Sequence, residues 1–274
     1  MLGDGLTTRG RDGSYAEGCD MPGLITRKLE TDEGVCLTYY ELGLGRPLVL
    51  LHGYMFPAAT TWVDTKIAER LAGAGHRLIM PDLRGHGASV PTDERAYPPD
   101  ALSADTLSLI AHLDLEDYDL GGYSLGARIV ARVLTLGARP RRAFIGGTGL
   151  EPIVHAAGRG ANYRRILSSL GTWEDGTPEA RLQDYLKHVG ADPVALVRIL
   201  DTFVDTSEED LARVHVPTLV IAGDEDTDRG SVEDLAALLP NSHLQRIPGD
   251  HFSALASADL KDHLSNFLGD GLPW

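Results

Sequence analysis

Short apolar runs alternate with helix-length stretches along most of this chain, and that rhythm limits its fold more than any other feature. The runs at 47–51, 77–80, 118–122, 142–145 and 217–221 are too short for helices and carry apolar residues on both faces. Each fits a strand buried on both sides, and 244–247 reads as one further strand. Between them, the segments 64–73, 100–113, 125–137, 230–239 and 253–268 have the length and texture of helices. Such alternation predicts an α/β fold, with mostly parallel strands joined by helical crossovers and a sheet covered on both faces. Upstream, 24–29 and 37–41 flank Asp32-Glu33-Gly34, which carries turn chemistry, and together they predict a hairpin.

One stretch breaks the rhythm. Between Gly149 and Val214 no good strand is found, but 158–171, 178–189 and 193–204 read as helices. Thr177-Pro178 and Asp192-Pro193 each place a capping side chain before a proline at the first helical position. Thr206 and Glu209 have capping-box spacing ahead of Leu211. The predicted organisation is therefore a loose N-terminal tail over 1–20, a core made of 21–149 and 215–274, and a helical insertion over 150–214.

Composition excludes several classes. The chain has 25 Lys+Arg against 40 Asp+Glu, a formal charge of −15, which opposes binding to nucleic-acid phosphates. At 43% apolar and 24% charged it has enough material for a sizeable core. No run approaches the roughly 18 apolar residues of a membrane span, so no transmembrane helix is expected, and no secretory signal is evident. Cys19 and Cys36 form neither a disulfide framework nor a metal pair, and a reducing cytoplasm is the simplest location. No H-E-x-x-H, C-x-x-C, P-loop or complete dinucleotide fingerprint occurs, so neither metal nor cofactor is expected.

The most informative segment is Gly122-Tyr123-Ser124-Leu125-Gly126, a G-x-S-x-G pattern at a strand-to-helix junction. A serine on so sharp a turn requires small residues two positions before and two after it. Gly122 and Gly126 meet that requirement, although a glycine-rich junction also arises for packing alone. The turn would aim the Leu125 N–H and a helix N-terminus at a developing oxyanion. Two further motifs precede it in compatible order: His52-Gly53-Tyr54, and Asp82-Leu83-Arg84-Gly85-His86-Gly87-Ala88-Ser89. Together the three resemble the α/β-hydrolase superfamily over roughly residues 22–270.

That resemblance implies the α/β-hydrolase fold with an inserted helical cap, and a catalytic triad in the order nucleophile, acid, histidine. Ser124 would be the nucleophile. The acid follows the run 217–222 in Gly223-Asp224-Glu225-Asp226, where the family pattern selects Asp226 and leaves Asp224 and Asp228 as alternatives. The base follows the last strand, at His251, 25 residues after Asp226. Here Asp250 stands where the family often has glycine, and a carboxylate pointing inward would raise the histidine's pKa. The backbone N–H groups of Tyr54 and Leu125 would form the oxyanion hole, with His52 and His86 supporting the loops.

Tyr54, Met55 and Phe56 are expected to wall the pocket, and Tyr163, Trp173, Tyr185 and Phe203 are candidates from the insertion, core packing being the competing reading for the aromatics. The implied activity is hydrolysis of a small-molecule carboxylic ester or lactone through an acyl-enzyme. Related chemistries on the same triad are carbon–carbon bond hydrolysis, haloperoxidation and a lyase reaction. For the last, Tyr123 to Arg128 resembles the elbow of a menaquinone-pathway lyase, which would require cap arginines such as Arg159, Arg164 and Arg165. A ligand-binding protein without catalysis is the remaining alternative on this fold.

Overall fold

A computed structural model describes residues 21–31, 33–158 and 160–269. The tail over 1–20, with Cys19, as well as Asp32 and Arg159, lies outside the described residues. Eight strands form one sheet: β1 Ile25–Glu30, β2 Cys36–Leu42, β3 Arg46–Leu51, β4 His76–Pro81, β5 Asp119–Tyr123, β6 Ala143–Gly146, β7 Thr218–Gly223 and β8 Ser242–Ile247. Their order is β1-β2-β4-β3-β5-β6-β7-β8. β1 and β2 pair antiparallel from Ile25↔Glu41 to Glu30↔Cys36, and β2 pairs antiparallel with β4. From β4 to β8 every pairing is parallel.

The parallel strands are apolar on both faces because helices cover both. In β3, Val49 and Leu51 face one core cluster while Leu48 and Leu50 face the other. All four are fully buried. At about 1.5–3 kcal/mol for each fully buried aliphatic side chain, this strand anchors the centre of the sheet. Helices α1 Ile67–Gly73, α10 His251–Ala256 and α11 Ala258–Leu268 fill one side with Ile67, Leu71, Leu260, Leu264 and Phe267. On the other side, α2 Ala101–His112, α3 Leu125–Thr135 and α9 Val232–Leu238 contribute Leu109, Ile129, Val133 and Leu235. The single helix expected over 253–268 is two, because Ser257 is extended at φ −69, ψ 157 and caps the second by accepting from Leu260 N at 3.0 Å.

Residues 150–214 contain no strand among those described. They form α4 Glu151–Val154, α5 Ala161–Ser168, α6 Pro178–His188, α7 Pro193–Ile199 and α8 Glu208–Leu211. Thr177 caps α6 through Ala180 N at 3.1 Å, and Asp192 caps α7 through Val194 N at 2.8 Å. The expected Thr206–Glu209 capping box does not form. Ser207 caps α8 instead, accepting from Asp210 N at 3.1 Å, because the helix starts one residue later. A small cluster of Leu167, Leu186 and Leu196 closes around Met55, joining these helices to the loop after β3.

Candidate active site

Ser124 sits between the last residue of β5 and the first of α3, with φ 56 and ψ −110. Such a conformation costs a non-glycine residue about 1–3 kcal/mol and persists only where the surroundings fix it. Here Ser124 N donates to Gly146 O at 2.8 Å, and Arg128 N donates back to Ser124 O at 3.2 Å. Both flanking glycines are sterically required. A Cβ on Gly122 would lie 2.3 Å from the Gly126 carbonyl carbon, and one on Gly126 would lie 1.9 Å from the Leu51 oxygen.

The structure brings Asp226 and His251 together. Asp226, in the loop after β7, is 8% exposed, and its Oδ2 lies 2.6 Å from His251 Nδ1. An ionised carboxylate only accepts, so Nδ1 of the neutral ring carries the proton and Nε2 is left as the basic nitrogen. Asp224 and Asp228 are exposed, and Asp224 accepts from Gly249 N at 2.9 Å, tying the two loops. Tyr123 links the elbow to the histidine, its hydroxyl donating to His251 O at 2.8 Å. Asp250 does not point inward. It is the N-cap of α10, accepting from Phe252 N, Ser253 N and Ser253 Oγ, and these bonds hold its carboxyl below the usual range.

The turn after β3 is braced from beneath by two buried histidines. His52 Nε2 accepts from Leu83 N at 2.9 Å, which places its proton on Nδ1, 2.8 Å from Gly53 O. His86 Nε2 accepts from Met55 N at 3.2 Å. Burial lowers both rings, His52 to about 4 and His86 to about 3, so both stay neutral acceptors. Asp82 accepts from Ala58 N at 3.0 Å and Ala88 N at 2.8 Å, and Arg84 forks onto buried Asp105 at 2.9 and 2.6 Å. The two loops are thereby locked together. Among the described residues, neither Tyr54 N nor Leu125 N has a hydrogen-bond acceptor.

A cavity of about 50 Å³ opens at Ser124, lined by Tyr54, Leu125, Thr148, Pro152, Tyr163 and Phe203, together with Arg128 and Arg229. Tyr54 is fixed by a 2.6 Å bond from its hydroxyl to Leu196 O and by edge contact with Tyr163. Four residues expected or considered for the pocket, Met55, Phe56, Trp173 and Tyr185, lie outside this lining. Met55, at φ 71, is buried in the cluster with Leu167, Leu186 and Leu196. Phe56 stacks on Tyr185, ring centroids 4.7 Å apart, outside this lining. Trp173, in the bend between α5 and α6, is half-buried with its ring beneath the Arg165 guanidinium at 5.0 Å.

Of the arginines considered for the lyase chemistry, Arg164 pairs with Asp201 at 2.8 Å and Arg165 bonds Asn162 at 3.0 Å, neither lining the cavity. The arginines that do line it, Arg128 and Arg229, were assigned no role from sequence. Arg128 follows Ser124 by one helical turn, a spacing visible in the chain, whereas the placement of Arg229 depends on the loop after Asp226. Among the described residues, no group of three or more His, Cys, Asp or Glu could hold a metal ion, and no helix is long and apolar enough to cross a membrane.

Comparison with known proteins agrees with this architecture. Residues 48–261 match the model of the alpha/beta hydrolase family. A non-heme chloroperoxidase of Kitasatospora aureofaciens is 28% identical over 264 residues, 84% of this chain and 93% of that protein. A non-heme haloperoxidase of Rhodococcus erythropolis is 26% identical, covering 83% of this chain and 93% of the relative. The crystal structure of a hydrolase from Pseudomonas aeruginosa superposes with a TM-score of 0.70 at 26% identity, spanning 89% of this chain and 98% of that one. With the family model spanning β3 to α11 and a sheet of the same architecture, the chain is an enzyme that belongs to the alpha/beta hydrolase family.

Proposed function

We propose that the protein is a serine hydrolase that cleaves a small carboxylic ester or lactone through an acyl-enzyme on Ser124. The observation that carries this reading is the 2.6 Å contact of Asp226 with His251 Nδ1, with His251 O bonded by Tyr123, the neighbour of a serine held in a strained turn. Ser124 Oγ attacks the carbonyl carbon as His251 Nε2 takes its proton. The carbonyl oxygen becomes negative where the N–H groups of Tyr54 and Leu125 receive it, and losing one such donor typically costs about 10²–10³ in rate. Asp226 holds the ring's tautomer and stabilises its charge. The tetrahedral centre collapses, the bond to the alkoxy oxygen breaks, and His251 returns the proton to the leaving alcohol. Water then repeats the sequence, releasing the acid and the free serine. Residues 150–214 act as the cap that roofs the cavity and sets the size of the acyl group.

A fluorophosphonate probe with mass spectrometry tests the nucleophile. An adduct on Ser124 that is absent from Ser124→Ala, together with hydrolysis of short chromogenic esters, is expected; ester hydrolysis unaffected by that substitution would refute the assignment.

The names of the two haloperoxidase relatives favour a second reading on the same residues. If hydrogen peroxide rather than water attacks the acyl-enzyme, the product is a peracid, which oxidises halide in solution. Halogenation that requires both peroxide and a carboxylic acid, and that is lost in Ser124→Ala, distinguishes this outcome from simple hydrolysis.

A further inference from the structure

Thr148, two residues beyond the end of β6, is 2% exposed and lines the cavity at Ser124. Among the described residues, neither its hydroxyl nor its backbone N–H and C=O has a hydrogen-bond partner. We propose that the Thr148 hydroxyl, together with that of Tyr163, receives a neutral oxygen on the acyl chain, so that the favoured substrate is a short 2- or 3-hydroxyacyl ester. This rests on the serine-hydrolase reading above and names its substrate class.

The segment that carries Thr148 is firmly held. Gly147 N donates to Ile221 O at 2.9 Å on one side, and Gly149 N donates to Arg229 O at 2.7 Å on the other. Gly147 has φ 61, and a Cβ there would lie 2.6 Å from Tyr123 Cζ, so the turn packs directly on the residue before the nucleophile. Gly146 O in turn accepts from Ser124 N at 2.8 Å. Thr148 is thereby fixed beside the elbow, bonded through its neighbours and not through its own polar atoms. Burying a hydroxyl without a hydrogen bond is unfavourable, so such a group is ordinarily met by water or by a ligand. Thr38 Oγ1 and Trp62 Nε1 also lack partners, but both are sealed in the interior, whereas Thr148 borders the space in front of Ser124.

Tyr163 supplies the second hydroxyl. Its oxygen accepts from Arg229 Nη1 at 3.2 Å, so its own proton remains to be given, and no acceptor takes it among the described residues. Tyr54 differs, having given its proton to Leu196 O at 2.6 Å. Edge contact with Tyr54, ring centroids 5.2 Å apart, holds the Tyr163 ring at the cavity wall. A substrate hydroxyl satisfies both side chains at once, accepting from Tyr163 and donating to Thr148.

The lining also says which part of the substrate sits here. His251 is not among the residues that line the cavity. The leaving alcohol and the incoming water both exchange a proton with His251, so they are handled outside it, and the cavity is the place of the acyl chain. Its volume, about 50 Å³, favours a short chain, whose second and third carbons meet the walls beside Ser124. A saturated chain would expel water and strand the Thr148 hydroxyl, whereas a hydroxyacyl chain replaces that water with a bond of its own. Discrimination of this kind comes from the buried polar group that the wrong substrate leaves unpaired.

The test uses two pairs of ethyl esters that differ only by hydroxyl against methyl, 3-hydroxybutyrate against 3-methylbutyrate and lactate against isobutyrate, on the full chain, with both enantiomers of each hydroxy ester. Each kcat/KM is divided by the ester's own rate constant with hydroxide, which removes the inductive effect of the added oxygen. In at least one pair the hydroxy ester is expected to be favoured at least tenfold. Thr148→Val keeps the branched shape and should lower that preference at least fivefold, Tyr163→Phe should lower it as well, and Thr148→Ser should retain it. A ratio of one or below in both pairs would overturn the proposal, as would a preference that survives Thr148→Val. Urea denaturation gives a readout independent of turnover. Because no protein partner is lost, Thr148→Val should be at least as stable as the parent, and a lower midpoint would assign the hydroxyl to the fold and overturn the proposal. If no ester is hydrolysed, a probe adduct on Ser124 overturns this inference, and its absence defeats the hydrolase reading instead. Hydrolysis of the methyl-branched esters without preference for the hydroxyl defeats this inference alone.

Discussion

The phenol of Tyr123 donates a 2.8 Å hydrogen bond to the backbone carbonyl of His251, a residue 128 positions later in the chain. Tyr123 immediately precedes Ser124, so this bond fixes the histidine loop relative to the turn that carries Ser124. Burial, reinforced by the charge of Asp226, pushes the phenol's pKa upward, so it remains a donor throughout the ordinary pH range. Tyr123→Phe keeps the ring and removes the tie, which as a neutral hydrogen bond contributes about 1 kcal/mol. Steady-state kinetics on a short ester should show kcat reduced roughly fivefold with KM nearly unchanged, in keeping with that magnitude. An unaltered kcat would mean that the Asp226 contact alone positions the ring.

The acids near His251 make separable predictions. Asp226→Asn keeps the shape of the side chain but offers an amide that can hold the wrong tautomer, and kcat should fall by about 10³–10⁴. Asp224→Asn removes a charged acceptor from Gly249 N and leaves the His251 contact intact. It should lower the thermal midpoint by a few degrees and keep kcat within about threefold, since one charge-assisted hydrogen bond is worth about 1.5–3 kcal/mol. The reverse ranking of the two variants in kcat would reassign the acid.

What could be read from the sequence follows from how local each signal is. The strand at 47–51 was legible because burial on both faces leaves a continuous apolar run, and the elbow because its glycines sit at fixed offsets from Ser124. Met55 was misread for a backbone reason, since its positive φ carries the side chain away from the elbow and into the helical cluster. The direction of Asp250 was not legible, because whether a residue beside the histidine in sequence points towards the ring or, as here, along the helix it caps depends on the cap. Ser257 hid a break because a serine suits both a helix surface and an N-cap. Arg128 and Arg229 could not be paired from sequence at all. They are 101 positions apart, and only the sheet order β5-β6-β7 brings the first turn of α3 and the loop after β7 to one cavity.

Two glycine-to-alanine substitutions should have opposite signs. In a helix, Gly→Ala ordinarily gains up to about 1 kcal/mol. Gly73, in α1, has open space around the position of a Cβ, so Gly73→Ala should raise the thermal midpoint slightly. At Gly126 the new Cβ would lie 1.9 Å from Leu51 O and 2.9 Å from His52 O, both backbone atoms of the turn below the elbow. Relief requires α3 to move off β3. Gly126→Ala should therefore cost about 3 kcal/mol or more, in the range of severe overpacking, and abolish probe labelling of Ser124. Chemical denaturation of the two variants beside the parent protein checks the signs.

The buried histidines fix how stability depends on pH. His52 and His86 are driven down to about 4 and about 3 by burial, and His76, beside Asp119, is also lowered, burial again being the main cause. In the unfolded chain each ring binds its proton near pH 6.5. Between that value and the folded one, the unfolded state holds more protons, so stability falls as pH drops through this interval and levels off below it. Each histidine contributes a slope of up to about 1.4 kcal/mol per pH unit. Urea denaturation should accordingly give a midpoint that declines steeply from pH 7 to pH 5, before most carboxylates titrate. His86→Gln should be less stable at pH 7, because the side chain that accepts from Met55 N is replaced, yet show a shallower decline. A decline as steep as the parent's in that variant would assign the acid sensitivity to other groups.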